Sequence, residues 1–172
     1  MTDLLILAIL LDYEYTIYKI KQKIENNFSI FLSASFGSIH PAVKKLEKNG
    51  FISAKKKLSS GGQKSSTYSI TREGKEYFKK LMTAEITESP SYSNQLINIK
   101  IMLIDLLDEN LQKITIDSIK KYYEIHLLNT KELIETLDEV KIKDKKNFFQ
   151  IKFLKHYADK ISREISWLQG LN

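Results

Sequence analysis

The 172-residue sequence has no cysteine, which excludes disulfides and thiolate metal sites and fits a reducing compartment. Proline and glycine are scarce, at two and six residues, so few positions force regular structure to stop. No apolar run approaches the ~20 residues of a membrane-spanning helix. The run Leu4 to Leu11 lacks a basic leader and is followed by Asp12 and Glu14. It reads as a core helix rather than a signal peptide, and a cytoplasmic protein that avoids membranes is expected. Histidine is limited to three scattered residues, His40, His126 and His156. No His-Glu-x-x-His motif, phosphate-binding glycine loop or Gly-x-Ser-x-Gly turn is present. Without such convergent groups the sequence gives no basis for an enzyme, and no metal or cofactor is expected.

What is abundant is positive charge, and it is concentrated at one end. The net charge is +6. Residues 1–82 carry 14 Lys+Arg against 7 Asp+Glu, whereas residues 83–172 carry 13 against 14. All the excess lies in the first half, which points to a polyanionic partner, nucleic acid or an anionic membrane surface. No helix pairs Lys/Arg with exposed Trp or Phe, which argues against the membrane surface.

The pattern of the first half predicts three helices, a hairpin and a fourth helix. The first helix covers Asp3 to Leu11. Thr16 caps the second, whose apolar stripe is Ile17, Ile20 and Ile24. The third starts near Ser38 and stops at Asn49, before Gly50. Residues Phe51 to Lys57 and Thr67 to Ile70 form two strands joined by a glycine- and serine-rich turn. Thr71 then caps a helix running to about Ala84.

Three helices followed by a two-stranded wing is the order of a winged helix-turn-helix. In the third helix Ile39, Ala42, Val43 and Leu46 must face the core. At ~100° per residue the opposite face holds Gly37, Pro41, Lys44 and Lys48, flanked by His40 and Lys45. Small polar groups at the start of a helix and lysines along its outer face suit the major groove of duplex DNA. Candidate DNA contacts are Ser35, Ser38, His40, Pro41, Lys44, Lys45 and Lys48, with Lys55, Lys57, Lys64 and Ser65 on the wing.

The run Gly37-Ser38-Ile39-His40-Pro41-Ala42-Val43-Lys44-Lys45-Leu46-Glu47-Lys48-Asn49-Gly50-Phe51-Ile52 resembles the signature of PadR-type regulators. That family shows Gly-Thr-Ile-Tyr-Pro-Ala-Leu, two basic residues, Leu-Glu and a Gly-Leu-Ile turn into the wing. The segment Tyr68-Ser69-Ile70-Thr71-Arg72-Glu73-Gly74 is similar to the family's Tyr-x-Leu-Thr-x-x-Gly. The resemblance covers residues 4–82. It departs at His40 and Ile17, which stand where the family usually has Tyr and Gly, and at Ser65-Ser66-Thr67, which lacks the usual wing cation. The resemblance implies a dimeric repressor on a palindromic operator, relieved by a ligand or signal.

Thr87 to Ser93 reads as a linker, after which the chain is helical. Asn94 to Leu107 is strongly apolar, Asp117 is expected to cap a long helix to about Val140, and a charged turn over Lys141 to Lys146 leads to a last helix. Stripes close to a heptad suggest a dimer arm, with Ile119, Tyr123, Leu133, Leu137, Leu154, Ile161, Ile165 and Leu168 at its seam. His126 and Trp167 are candidates for an effector pocket. The expected class is therefore mainly α with a small β-hairpin. A winged helix-turn-helix domain over 1–86 precedes a helical dimerisation domain over 93–172. Expected partners are double-stranded DNA, a second copy forming a homodimer, and a small-molecule effector. The alternative is a winged-helix module that binds protein and not DNA.

Overall fold

The computed structural model describes residues 1–31, 36–58, 64–87, 89–140 and 147–171, with backbone alone at 36, 57, 58, 64, 139 and 140. The elements are α1 (Thr2–Ile9), β1 (Tyr15–Thr16), α2 (Ile17–Phe28), α3 (Phe36–Lys48), β2 (Ile52–Leu58), β3 (Lys64–Ile70) and α4 (Arg72–Thr83). They continue with α5 (Pro90–Met102), a 3-10 turn at Ile104–Leu106, α6 (Glu109–Val140) and α7 (Phe148–Gln169). This is the expected winged-helix order with one addition. Tyr15 and Thr16 form a third strand, giving the antiparallel order β1-β3-β2. Tyr15 pairs with Tyr68 and Thr16 with Thr67.

Local chemistry sets the boundaries. Thr16 accepts from the Lys19 amide at 3.3 Å and caps α2, and Thr71 accepts from the Gly74 amide at 3.0 Å and caps α4. At the end of α3, the Gly50 amide bonds the Glu47 carbonyl and the Phe51 amide bonds the Leu46 carbonyl, both at 3.0 Å. That pair of bonds is a Schellman stop, and it needs the left-handed backbone that Gly50 adopts, with φ +75°. Strand β3 starts at Lys64 rather than at the expected Thr67, because Ser65 and Ser66 pair with Lys57 and Lys56. Asp117 lies inside α6 and does not cap it. Asp108 does that work, accepting from the Leu111 amide at 3.0 Å.

The chain divides into two compact units. The first comprises Met1–Ala84 and Glu88–Gln112, the second Glu85–Thr87 and Lys113–Asn172. Helix α5, placed by sequence with the second domain from residue 93, thus groups with the first unit. The reason is burial. Ile99, Leu103 and Leu107 enter the same core cluster as Leu4 to Leu7, Ile20, Val43, Leu46 and Phe78. The Met1 ammonium also donates to the Tyr92 hydroxyl at 2.9 Å. Lys100 of α5 is fully buried, and its Nζ donates to the Ala84 carbonyl at the end of α4 across 2.6 Å. Among the described residues no helix is long and apolar enough to cross a membrane.

Candidate nucleic-acid interface

Helix α3 is anchored by Ile39, Val43 and Leu46, each at most 1% exposed. Fixing that stripe against the core fixes the opposite face outward. Gly37, Ser38, His40, Pro41, Lys44, Lys45 and Lys48 are all exposed. Pro41 stands inside the helix, which starts at Phe36 rather than near Ser38, so it lies past the first turn and cannot donate the i→i−4 bond to the Gly37 carbonyl. Ser35 lies outside the described residues.

The lysines divide by what they touch. Lys44 Nζ lies 2.9 Å from Glu47 Oε2 and 5.8 Å from the ring centroid of buried Tyr68 on β3. The bond to Glu47, followed by interaction with Tyr68, raises its pKa above the ordinary lysine value. Lys45 Nζ lies 2.7 Å from Asp3 Oδ2 on α1, and that carboxylate raises its pKa too. Lys45 therefore links α3 to α1, and its charge is engaged by a neighbour. Lys48 is exposed, and no ion pair engages it among the described residues.

The wing shows the same division. Lys55 is paired with Glu14 at 2.7 Å, whereas Lys56 is exposed and forms no ion pair among the described residues. Ser65 is exposed and pairs in register with Lys57. The side chains of Lys57 and Lys64 lie outside the described set, and so does the glycine turn at 61 and 62. The positive run Lys55-Lys56-Lys57 on the wing is legible in the sequence, whereas the partners Asp3 and Glu14 are not. The acidic partners sit 42 and 41 residues from their lysines, and no local pattern reveals them.

The wing is fixed to the helical core at its base. The Thr71 hydroxyl donates to the Gly50 carbonyl at 2.7 Å, and the Thr71 amide bonds the Phe51 carbonyl at 3.0 Å. The Phe51 ring stacks on Tyr77 of α4 with centroids 4.2 Å apart. A rigid base of this kind keeps α3 and the strands in one fixed relation.

In the second unit, the residues expected at a dimer seam are found in different settings. Ile119, Ile161 and Leu168 are buried within the single chain, so they cannot face a partner. Tyr123, Leu137, Leu154 and Ile165 are half-buried, and Leu133 is exposed. Besides Leu133, the large apolar groups that reach solvent on these helices are Ile114, Ile125 and Leu128 on α6 and Phe148, Phe149, Phe153 and Trp167 on α7. His126 is half-buried, with its ring 4.3 Å from that of Tyr122. Trp167 is about half exposed, and among the described residues no ring contact joins it to His126.

Comparison with known proteins places the first unit. Residues 6–80 match the family described as "Transcriptional regulator PadR-like family". No curated protein matches the chain. Among solved structures, a PadR-like transcriptional regulator from Bacillus cereus is 31% identical, with 45% of this chain and 74% of that one covered and a TM-score of 0.39. A transcriptional regulator from Clostridium thermocellum is 27% identical over 45% of this chain and 75% of its own, with a TM-score of 0.42. Bacillus subtilis PadR, in a crystal with operator DNA, is 19% identical over 98% of this chain and 94% of that one, with a TM-score of 0.45. The matched stretch contains the whole motif run 37–52 and the segment 68–74, and the chain belongs to the PadR-like family of transcriptional regulators.

Proposed function

We propose that this regulator is a sequence-specific repressor that acts in the cytoplasm as a homodimer on a palindromic operator in double-stranded DNA. The carrying observation is the outward face of α3, where Ser38, His40, Pro41, Lys44 and Lys48 are exposed over a buried stripe. Ser38 and His40, at the start of the helix, read base edges in the major groove. Lys48 and the wing's Lys56 and Ser65 hold the phosphate backbone, with Lys57 and Lys64 as further wing cations. Lys44, whose carboxylate partner Glu47 lies on the same helix, contributes from its site above Tyr68. Lys45 and Lys55, each paired to a carboxylate, orient the helix and the wing.

A salt titration of duplex binding tests this division. Removing one lysine that neutralises a phosphate flattens the log–log salt slope by about 1. Lys48→Ala and Lys56→Ala are each expected to flatten it by that amount, and Lys45→Ala to leave it unchanged. The duplex is the one selected from random DNA by the wild type. Equal slopes in all three variants would contradict the phosphate contacts, and no binding to any duplex would favour the protein-binding module.

The dimer is supported by the exposed apolar stripes of the second unit. Ile114 and Ile125 are separated by eleven residues, close to three helical turns, and Phe149 and Trp167 by eighteen, five turns. Each pair therefore shares one helix face. Several large apolar side chains grouped in this way mark an interaction surface, and a self-complementary patch is how two-fold dimers form. Changing Phe149 and Phe153 together to glutamate is expected to convert the dimer to a folded monomer in analytical ultracentrifugation. A double variant that still sediments as a dimer would place the interface elsewhere.

A further inference from the structure

The first unit contains a cavity of about 230 Å³ that no described residue of α3 lines. Its apolar wall comes from Ala8 and Ile9 of α1, Phe28 of α2, and Leu103 and Leu106 beside the 3-10 turn. Its polar wall comes from Asp12, Tyr13, Tyr15, Lys23 and Asn27. Lys23 is half-buried, and its Nζ sits 5.8 Å from the Tyr15 ring centroid. Asp12 and Lys23 thus border one space with opposite charges, and no ion pair joins them among the described residues.

We propose that this cavity binds a small zwitterion with an apolar side chain, of the size and chemistry of an aliphatic amino acid. Its carboxylate meets Lys23 and the Asn27 amide, its ammonium meets Asp12, and its side chain lies on Ile9, Phe28 and Leu103. The volume is below the roughly 300–1,000 Å³ of sites for drug-sized ligands, which limits the occupant to a small metabolite. Asp12 is exposed and Lys23 half-buried, and a ligand with a single charge forgoes the charge-assisted contact with one of them.

The cavity is also connected to the DNA-facing surface. Tyr15 forms its wall and belongs to β1, where it pairs with Tyr68 of β3. The Tyr68 ring in turn lies beneath Lys44 of α3. A ligand that moves Tyr15 therefore moves the strand whose Tyr68 lies beneath Lys44, and this part of the proposal depends on the DNA-binding reading above. Linkage requires that a ligand which weakens operator binding is itself bound less tightly by the DNA complex.

The test is an NMR titration of the full chain, without DNA, using L-leucine, 4-methylpentanoate and 3-methylbutylamine. L-leucine is expected to shift the amide signals of Tyr13, Tyr15, Lys23 and Asn27. It should half-saturate at a concentration about tenfold below either single-charge analogue, the factor for one charge-assisted contact. Lys23→Met and Asp12→Asn are each expected to weaken leucine by a similar factor while leaving the remaining spectrum in place. Equal binding of leucine and 4-methylpentanoate, or no shift with any of the three, overturns the site. Duplex binding is measured separately. A chain that holds duplex but ignores leucine removes this proposal and leaves the regulator reading intact. Leucine bound by a chain that holds no duplex supports the cavity and removes the regulator reading.

Discussion

Replacing Gly74 with alanine is expected to unseat the wing and to lower stability far more than the same change at Gly50. An added Cβ would collide with the Phe51 carbonyl oxygen and would lie 2.8 Å from Ile70 Cγ1 and 2.9 Å from the Phe51 carbonyl carbon. Two of those three atoms are backbone. The same carbonyl accepts the Thr71 amide at 3.0 Å, so it cannot retreat without breaking the joint between β2, β3 and α4. Alanine in place of a helical glycine gains ~1 kcal/mol in propensity. Overpacking costs about 1–3 kcal/mol and occasionally more; a collision with a pinned backbone carbonyl falls at the top of that range, so it wins by about 2 kcal/mol. Gly50 provides the contrast. A Cβ there meets nothing within 4 Å, and only its φ of +75° resists substitution, at a cost of about 1 kcal/mol. Urea unfolding followed by circular dichroism should rank wild type above Gly50→Ala and Gly50→Ala above Gly74→Ala. Duplex binding should weaken in Gly74→Ala in step with the loss of the wing. A Gly74→Ala protein as stable as the wild type would mean that α4 and Phe51 do not meet in this way.

The parts of this architecture that were legible in the sequence are those set by local chemistry. The buried stripe Ile39, Val43 and Leu46, the glycine stop at Gly50 and the threonine caps at Thr16 and Thr71 each act within a few residues. Periodicity and capping rules identify such features directly. Strand β1 was not legible, because two residues cannot display an alternation and Tyr15–Thr16 exist as a strand only through β3. Asp117 was a reasonable cap by residue type, but helix α6 had already started at Glu109 behind Asp108. The ion pairs Lys45–Asp3 and Lys55–Glu14 depend on tertiary approach, so the sequence counted those lysines as free cations. Three of the residues expected at a seam were misread for a related reason. The most regular apolar stripe of α6 and α7 includes Ile119, Ile161 and Leu168, and regularity marks the face buried within the chain. What is left for a partner is the less regular set around Ile125, Phe149 and Phe153, which charged residues interrupt.

Stability should rise between about pH 8 and pH 10 and fall again above it, with buried Lys100 behind the rise and half-buried Tyr123 leading the fall. Burial alone lowers the Lys100 pKa from 10.5 to about 8, and no charged neighbour shifts it. Its folded-state value lies below its unfolded one, so the ammonium's desolvation cost is fully present below pH 8. That cost is relieved as the pH approaches 10.5. At 1.36 kcal/mol per unit the relief is at most roughly 3 kcal/mol. Tyr123 has the opposite sign. Burial first, then the negative charge of Glu164 and the neighbours Tyr122 and Tyr157, push its pKa from 10.0 up to about 12. Its stabilising preference for the neutral phenol is intact below pH 10 and is lost as the pH rises toward 12. Lys44, Lys45 and Lys121 have raised values, and they weaken the fold only as the pH rises above 10.5, outside the rising limb. Lys100→Met should abolish the rise between pH 8 and 10. At pH 7 it should be more stable than wild type, since the relieved charge outweighs the ~1 kcal/mol lost where the Ala84 carbonyl gives up its donor. Tyr123→Phe should keep the rise and reduce the fall. Urea midpoints measured from pH 7 to 11.5 for the three proteins decide the matter: a Lys100→Met profile parallel to wild type would show that this ammonium is hydrated in the folded chain.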